Sequence, residues 1–332
     1  MILKELTQVF GVSGYEKEVR DIIKEAIKDY VDEITIDALG NLIAYKKGTG
    51  ANKKKIMLAS HMDEIGLQVT KVEENGMIKV KPLGFLWIPT TYMSRVKFRN
   101  GTIGIVSSTI KLEDVKDFTK LYVDIGLKSK EEVLKYVKVG DTATYIGEYA
   151  ELKESNITAK ALDDRIGCYM LIEAIKKLEN QYNDIYFVFT VQEEVGCRGS
   201  KVTAQRIKPD LGIAVDVTPA HDYPCDLEGS NSVGDGTAIK VSDTSVICDE
   251  YLVSEMVKCC VENNIKYQLD VIYVGGTDAS SMNLSNFGVK VAAISVVTRY
   301  AHGPNSLVSM KDVEASIELL TKYVDREFSF EY

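Results

Sequence analysis

Apolar residues fall along this chain in two rhythms. Short continuous runs, at 56–60, 185–191, 211–216, 269–274 and 289–297, are rich in Val, Ile, Leu and Phe. Runs of that length predict strands buried on both faces of a mostly parallel sheet. Elsewhere apolar residues recur three or four apart. Leu3, Leu6, Val9 and Phe10 predict a short first helix, and Val19, Ile22, Ile23, Ala26 and Ile27 a second that ends near Tyr30. Ser13-Gly-Tyr-Glu16 ahead of the second has the form of a capping box. Further helices are predicted after Arg165, over 250–264, and over 311–328, where Val313, Ile317, Leu320 and Val324 share a face. Residues 34–37 and 42–45 flank Leu39-Gly-Asn41 as a hairpin.

Between Gly66 and Asn156 the rhythm changes. Short alternating segments at 77–80, 95–98, 102–106, 121–125 and 142–145 are separated by turn residues, with one short helix capped by Ser129 and Glu132. The pattern predicts an all-β unit over 66–156, a small barrel or sandwich, inserted into a domain formed by 1–65 and 157–332. The fold class is therefore α/β: a mixed, mostly parallel sheet flanked by helices, with an inserted β domain.

The chemistry gathers at the predicted strand ends. The run at 185–191 stops at Gln192-Glu-Glu194, the run at 56–60 delivers His61-Met-Asp63, a third delivers Asp216, and His302 lies just beyond a fourth. In open α/β sheets, ligands bind at the carboxyl ends of the strands. Asp163 and Asp164 open a helix, where simple N-capping would account for them. Gly275-Gly-Thr-Asp278 opens another; its glycines admit a ligand close to the backbone or merely form a turn. Adjacent buried carboxylates are costly unless cations neutralise them.

Of three histidines, two belong to this set, and the third, His221, reads as peripheral in its loop. Imidazole and carboxylate donors without cysteine suit two divalent ions (zinc, cobalt or manganese) rather than a closed structural zinc site. Ions roughly 4 Å apart acidify a bridging water and clamp both the attacking and the carbonyl oxygens. One carboxylate must stay free to take a proton, and Glu193 and Glu194 supply a base and a ligand side by side. Asp63, two residues from His61 in extended chain, can orient the imidazole.

Composition narrows the classes. A net charge of −9 with no basic run excludes general nucleic-acid binding. No apolar stretch is long enough for a bilayer and no leader pattern is present, so no membrane role and a cytoplasmic location are expected. Six cysteines without C-x-x-C spacing read as reduced thiols, with Cys168 and Cys197 as small buried hydrophobes.

His61-Met-Asp-Glu-Ile-Gly66, Ala161-Leu-Asp-Asp-Arg165, Gln192-Glu-Glu-Val-Gly196, Asp216, Gly275-Gly-Thr-Asp278 and Arg299-Tyr-Ala-His302 together resemble the tetrahedral (TET-type) aminopeptidases. That family of dinuclear metallopeptidases includes glutamyl and deblocking aminopeptidases and proteins named cellulase M. The resemblance implies that Asp163 bridges two ions, that His61 and Asp216 complete one site and Glu194 and His302 the other. It also implies that Glu193 is the general base, that Asp63 orients His61, and that the Asp163–Asp164 peptide bond is cis. It implies short peptide substrates, and a hollow dodecamer of dimers joined through the β insertion. Cys197, Ser200 and Gly303 depart from the pattern without removing a ligand or the base. Two alternatives stand beside an aminopeptidase: a metallo-carboxypeptidase or deacylase on the same scaffold, and a glycosidase, as the cellulase name suggests. A glycosidase would need two carboxylates flanking a sugar and no metal.

Overall fold

The computed structural model describes residues 1–330. Its main sheet is built on four parallel strands, β12 (Asp184–Thr190), β3 (Lys55–His61), β13 (Leu211–Pro219) and β16 (Lys290–Arg299), adjacent in that order. Antiparallel strands extend both flanks. On one side lie β2 (Leu42–Lys46) and β1 (Glu33–Ile36), the expected hairpin. On the other lie β17 (Ser306–Ser309), β11 (Asn156–Ala159) and β10 (Ala150–Glu151). A branch, β14 (Thr237–Ser242) with β15 (Tyr267–Val271), leaves from β16.

Alternation along the central strands divides their side chains between two cores. Ile56 and Leu58 of β3, with Ile185, Phe187 and Phe189 of β12, face one core. Helices α1 (Ile2–Gln8), α2 (Lys17–Ile27), α5 (Leu162–Lys177), α7 (Glu250–Asn263) and α9 (Met310–Val324) contribute to it. Met57, Ala59, Val188 and Ala214 face the other, covered by α6 (Arg198–Ile207) and α8 (Asp278–Asn283). Both faces are dry, which is why these strands read as unbroken apolar runs.

The inserted unit is a closed antiparallel barrel in the order β4 (Gly66–Val72), β5 (Ile78–Leu83), β8 (Leu121–Asp124), β7 (Ile103–Ser108), β6 (Arg95–Phe98) and β9 (Thr142–Tyr145). Two one-turn helices, α3 (Ile88–Thr91) and α4 (Lys130–Val133), accompany it, and Ser129 caps α4 as expected. The barrel has its own core, including Val69, Phe98, Val106 and Val123.

Three local expectations change. β10, which the sequence pattern groups with the β unit, pairs instead with β11, which joins the main sheet through β17. The strand expected to run to Val274 ends at Val271. The capping box does not form: α2 begins at Lys17 with no side-chain cap, because Ser13 and Glu16 are engaged elsewhere.

Candidate dinuclear metal centre

The parallel strands place their carboxyl ends side by side, with Thr190 of β12 in register with His61 of β3. Beyond that edge the five candidate ligands converge. His61 Nε2 lies 3.1 Å from Asp163 Oδ1, 3.8 Å from Glu193 Oε2 and 3.9 Å from Asp216 Oδ1. His302 Nε2 lies 3.1 Å from Asp163 Oδ2 and 3.5 Å from Glu194 Oε2. Each oxygen of Asp163 thus addresses one imidazole, the arrangement a bridging carboxylate needs. The Asp163–Asp164 peptide bond is cis.

Neighbouring Asp164 stands close enough to His61 and Asp216 to rival Asp163 as a ligand. Its oxygens are already engaged: Oδ2 accepts from the Ser60 hydroxyl at 2.6 Å and the His61 N–H at 3.1 Å, and Oδ1 from the Gly167 N–H at 3.0 Å. Fully buried, Asp164 holds the His61 backbone and the Gly167 N–H in the first turns of α5, and Asp163 is left facing the histidines.

Asp63, also fully buried, is a clamp. Its Oδ1 accepts the Glu193 N–H at 2.9 Å and lies 3.5 Å from His61 Nδ1. Its Oδ2 accepts the Ser13 hydroxyl at 2.6 Å and the Glu194 N–H at 3.2 Å. Burial pushes this carboxyl up, but the His61 imidazole, the Ser13 hydroxyl and the Glu193 amide outweigh it and hold it below the usual range. Glu16 braces the same loop by accepting from the Gln192 and Gly14 N–H groups. These are the engagements that deprive α2 of its expected cap.

The protein groups alone leave the site short of positive charge. Burial, with Asp163 close by, raises Asp216 to about 8 against the pull of His61, and raises Glu194 to about 7 against the pull of His302. Burial would lower His302, but Glu194 and Asp163 lift it to about 10. Glu194 Oε1 is buried without a hydrogen-bond partner among the described residues. Crowded oxygen and imidazole donors with an orphaned buried carboxylate oxygen fit divalent cations, and His61, Asp163, Asp216, Glu194 and His302 are the groups that could hold them.

The barrel overhangs this edge. Gly84, just after β5, has φ of +80°, and a Cβ there would lie 3.1 Å from Glu194, so a side chain is disfavoured by conformation and tightly confined by space. The next residue, Phe85, is exposed, its ring centre 6.1 Å from that of His302.

A family model for M42 glutamyl aminopeptidase matches residues 40–319, which span every ligand candidate. The chain belongs to this family. It is thereby placed among aminopeptidases, which are peptide hydrolases, and M42 enzymes are metallopeptidases. A relative from Acetivibrio thermocellus is 46% identical over 325 residues, covering 97% of each chain. The solved aminopeptidase APDkam598 from the archaeon Desulfurococcus kamchatkensis superposes with a TM-score of 0.93 at 37% identity, over 98% of this chain and 94% of that one. The TET1 peptidase of Pyrococcus horikoshii, described as assembling into a tetrahedron or a large octahedral shell, gives 0.86 at 34% identity, over 97% of this chain and 98% of that one.

Several residues here escaped the sequence reading. The capping pattern at Ser13 and Glu16 conceals their part in the site, and only the family resemblance, not the residue pattern itself, separates Asp163 from Asp164. Glu64, next to Asp63, carries no mark in the sequence: its Oε2 accepts from Lys160 Nζ at 2.7 Å and the Thr144 hydroxyl at 2.6 Å, tying the barrel to the main sheet unit. Cys168 is buried and donates to the His61 carbonyl, in keeping with a packed thiol. Cys197 departs from expectation, being partly exposed with its thiol on Glu193. His221 is engaged in its own loop, accepting the Asn231 N–H on Nδ1 at 3.2 Å.

Proposed function

We propose that this chain is a dinuclear metallo-aminopeptidase that removes N-terminal residues from short peptides. The observation that carries the reading is Asp163, whose two oxygens each stand 3.1 Å from a different histidine. His61 and Asp216 would hold one divalent ion and Glu194 and His302 the other, with Asp163 shared. Bound zinc, cobalt or manganese would polarise the scissile carbonyl and acidify water.

The remaining work falls to the chain's own groups. Glu193 takes the proton of the attacking water on its carboxylate and returns it to the leaving amine. Its Oε2, 3.8 Å from His61 Nε2, faces the ligand set, and Asp63 fixes its backbone by accepting its N–H. Asp63 also sets the His61 ring from the Nδ1 side, through its backbone carbonyl at 3.1 Å with the carboxylate behind it at 3.5 Å, leaving Nε2 free to act as a ligand. Surplus carboxylate around the site favours the free ammonium of a peptide N-terminus.

Assembly and location extend the same reading. The barrel is the dimerisation element of a homododecamer. Ile103 and Ile105 on β7, with Leu134, Tyr136 and Val139, expose large apolar surface, and Asn100 bonds the Tyr136 carbonyl to bring the two groups together. The assembling Pyrococcus relative supports this. No helix among the described residues is long and apolar enough to cross a membrane, and the six thiols are free. We place the enzyme in the cytoplasm.

The test is hydrolysis of free-amino and amino-acetylated residue anilides, with chelator and with zinc or cobalt restored. Cleavage of free-amino substrates alone, abolished by chelation and restored by metal, is expected. Cleavage only of acetylated substrates would replace this reading with a carboxypeptidase or deacylase. Metal-independent activity on glycosides would replace it with a glycosidase.

A further inference from the structure

A second group of ligand-type atoms lies on the flank of the proposed pair of ions. Glu193, Cys197 and Asp278 each bring one such atom within 4.8 Å of the others. Cys197 stands in the left-handed conformation (φ 49°) at the start of α6, and its Sγ donates to Glu193 Oε1 at 3.1 Å. Asp278, at the start of α8, is only 2% exposed. Its Oδ2 accepts the Thr190 hydroxyl at 2.6 Å and the Ser200 hydroxyl also favours the charged carboxylate, whereas Oδ1 is buried with no hydrogen bond of normal geometry among the described residues. A buried carboxylate oxygen without a donor carries its full desolvation cost, and a cation would remove it. None of the three residues is needed as a ligand by the proposed dinuclear set.

We propose that Glu193, Cys197 and Asp278 form a third, inhibitory site for a thiophilic divalent ion, zinc or cobalt. One thiolate and two carboxylates select such ions over magnesium, calcium and manganese, which lack affinity for sulfur. Binding is ligand exchange without redox change. The S–H bond of Cys197 breaks, its proton leaves to solvent, and a metal–sulfur bond forms beside bonds to Glu193 and Asp278. The consequence rests on the reading of Glu193 as general base: an ion held there withdraws the carboxylate from proton transfer. The same metal that activates the enzyme at two equivalents then inhibits it in excess.

The full chain, loaded with two equivalents of cobalt, is titrated with more cobalt and followed by absorption. The dinuclear ligands are oxygen and nitrogen, so a near-ultraviolet thiolate-to-cobalt charge-transfer band reports the third site directly. The band is expected only beyond the second equivalent, absent in Cys197→Ser and weakened in Asp278→Asn. Zinc beyond two equivalents is expected to inhibit, and Cys197→Ser to raise the half-inhibiting concentration more than about tenfold, each variant being scaled to its own activity. A wild type without the band, a band surviving in Cys197→Ser, or zinc inhibition unchanged by that substitution would overturn the proposal. Should Cys197→Ser fail to fold, Asp278→Asn carries the test, and unaltered titrations in it would count against the site. Cleavage by a two-ion enzyme with no third band defeats this proposal alone. Absence of any peptide cleavage defeats the functional reading and leaves the band to decide the site.

Discussion

Replacing Asp63 by asparagine keeps shape and volume but breaks the clamp. Donors from Ser13, Glu193 and Glu194 converge on two carboxylate oxygens, with His61 Nδ1 beside them. An amide offers one acceptor oxygen and one donor nitrogen. Nitrogen in the Oδ2 position lets Ser13 turn its hydroxyl to accept, but sets the Glu194 N–H against another donor. In the Oδ1 position it strands the Glu193 N–H instead. Either way one buried backbone donor loses its partner, costing about 1–3 kcal/mol. The surviving bonds lose their charge assistance, which roughly halves them. Together these amount to about 3 kcal/mol, and the melting temperature should fall by roughly 4–5 °C for a chain of this size. Turnover should fall further, by about 100-fold or more, because the displaced groups are the proposed base and a proposed ligand, and ångström errors there are costly. Scanning calorimetry, metal analysis and steady-state kinetics on Asp63→Asn measure the three effects. Ser13→Ala, which removes one donor to the carboxylate and leaves both backbone bonds, should cost about 1.5–3 kcal/mol. Native melting and full turnover in Asp63→Asn would refute the reasoning.

Four other outcomes follow from the same geometry. Glu193→Gln should lower kcat by about 10²–10⁴-fold while the bound metal, measured by elemental analysis, stays unchanged; near-native turnover would remove Glu193 from the base role. Metal affinity should weaken as pH falls through about 8 and about 7, because Asp216 and Glu194 have raised values and must shed protons before binding. Calorimetry in buffers of different ionisation enthalpy should accordingly show proton release near neutrality. Glu64→Ala leaves the buried Lys160 and Arg165 without their carboxylate and should cost about 3–5 kcal/mol in urea unfolding. Ile105→Glu places a charge on the exposed β7 surface and should shift the assembly to smaller species in light scattering; an unchanged mass would move the dimer contact off this face.

The sequence exposes the central sheet because its strands are buried on both faces, and β3, β12, β13 and β16 therefore read as uninterrupted apolar runs. It hides β14 for a physical reason. Lys240 interrupts that strand, and only the fold reveals its partner, Asp270 on β15, at 2.6 Å with both side chains buried. A charge in a short segment signals solvent until a distant carboxylate accounts for it. β10, β11 and β17 are too brief to carry a pattern, and their membership in the main sheet is fixed by pairing between residues about 150 apart.

The proposed ligands stand out for a different reason: strand ends are positions where a polar residue after an apolar run is conspicuous. Residues that hold the ligands in place carry no such mark. Ser13 fits a local capping pattern perfectly well, yet its partner is Asp63, 50 residues on; Glu16 reaches Gln192 across 176. Asp163 and Asp164 show the limit most sharply, being the same residue type, adjacent, at the same helix start. The backbone at both is non-helical, and that alone sends them in different directions. Asp164 turns inward onto three donors, and an oxygen so engaged has little left for a cation. Asp163 turns outward onto two imidazoles. Which carboxylate can bridge is therefore decided by counting the donors each already has, a quantity that exists only after folding.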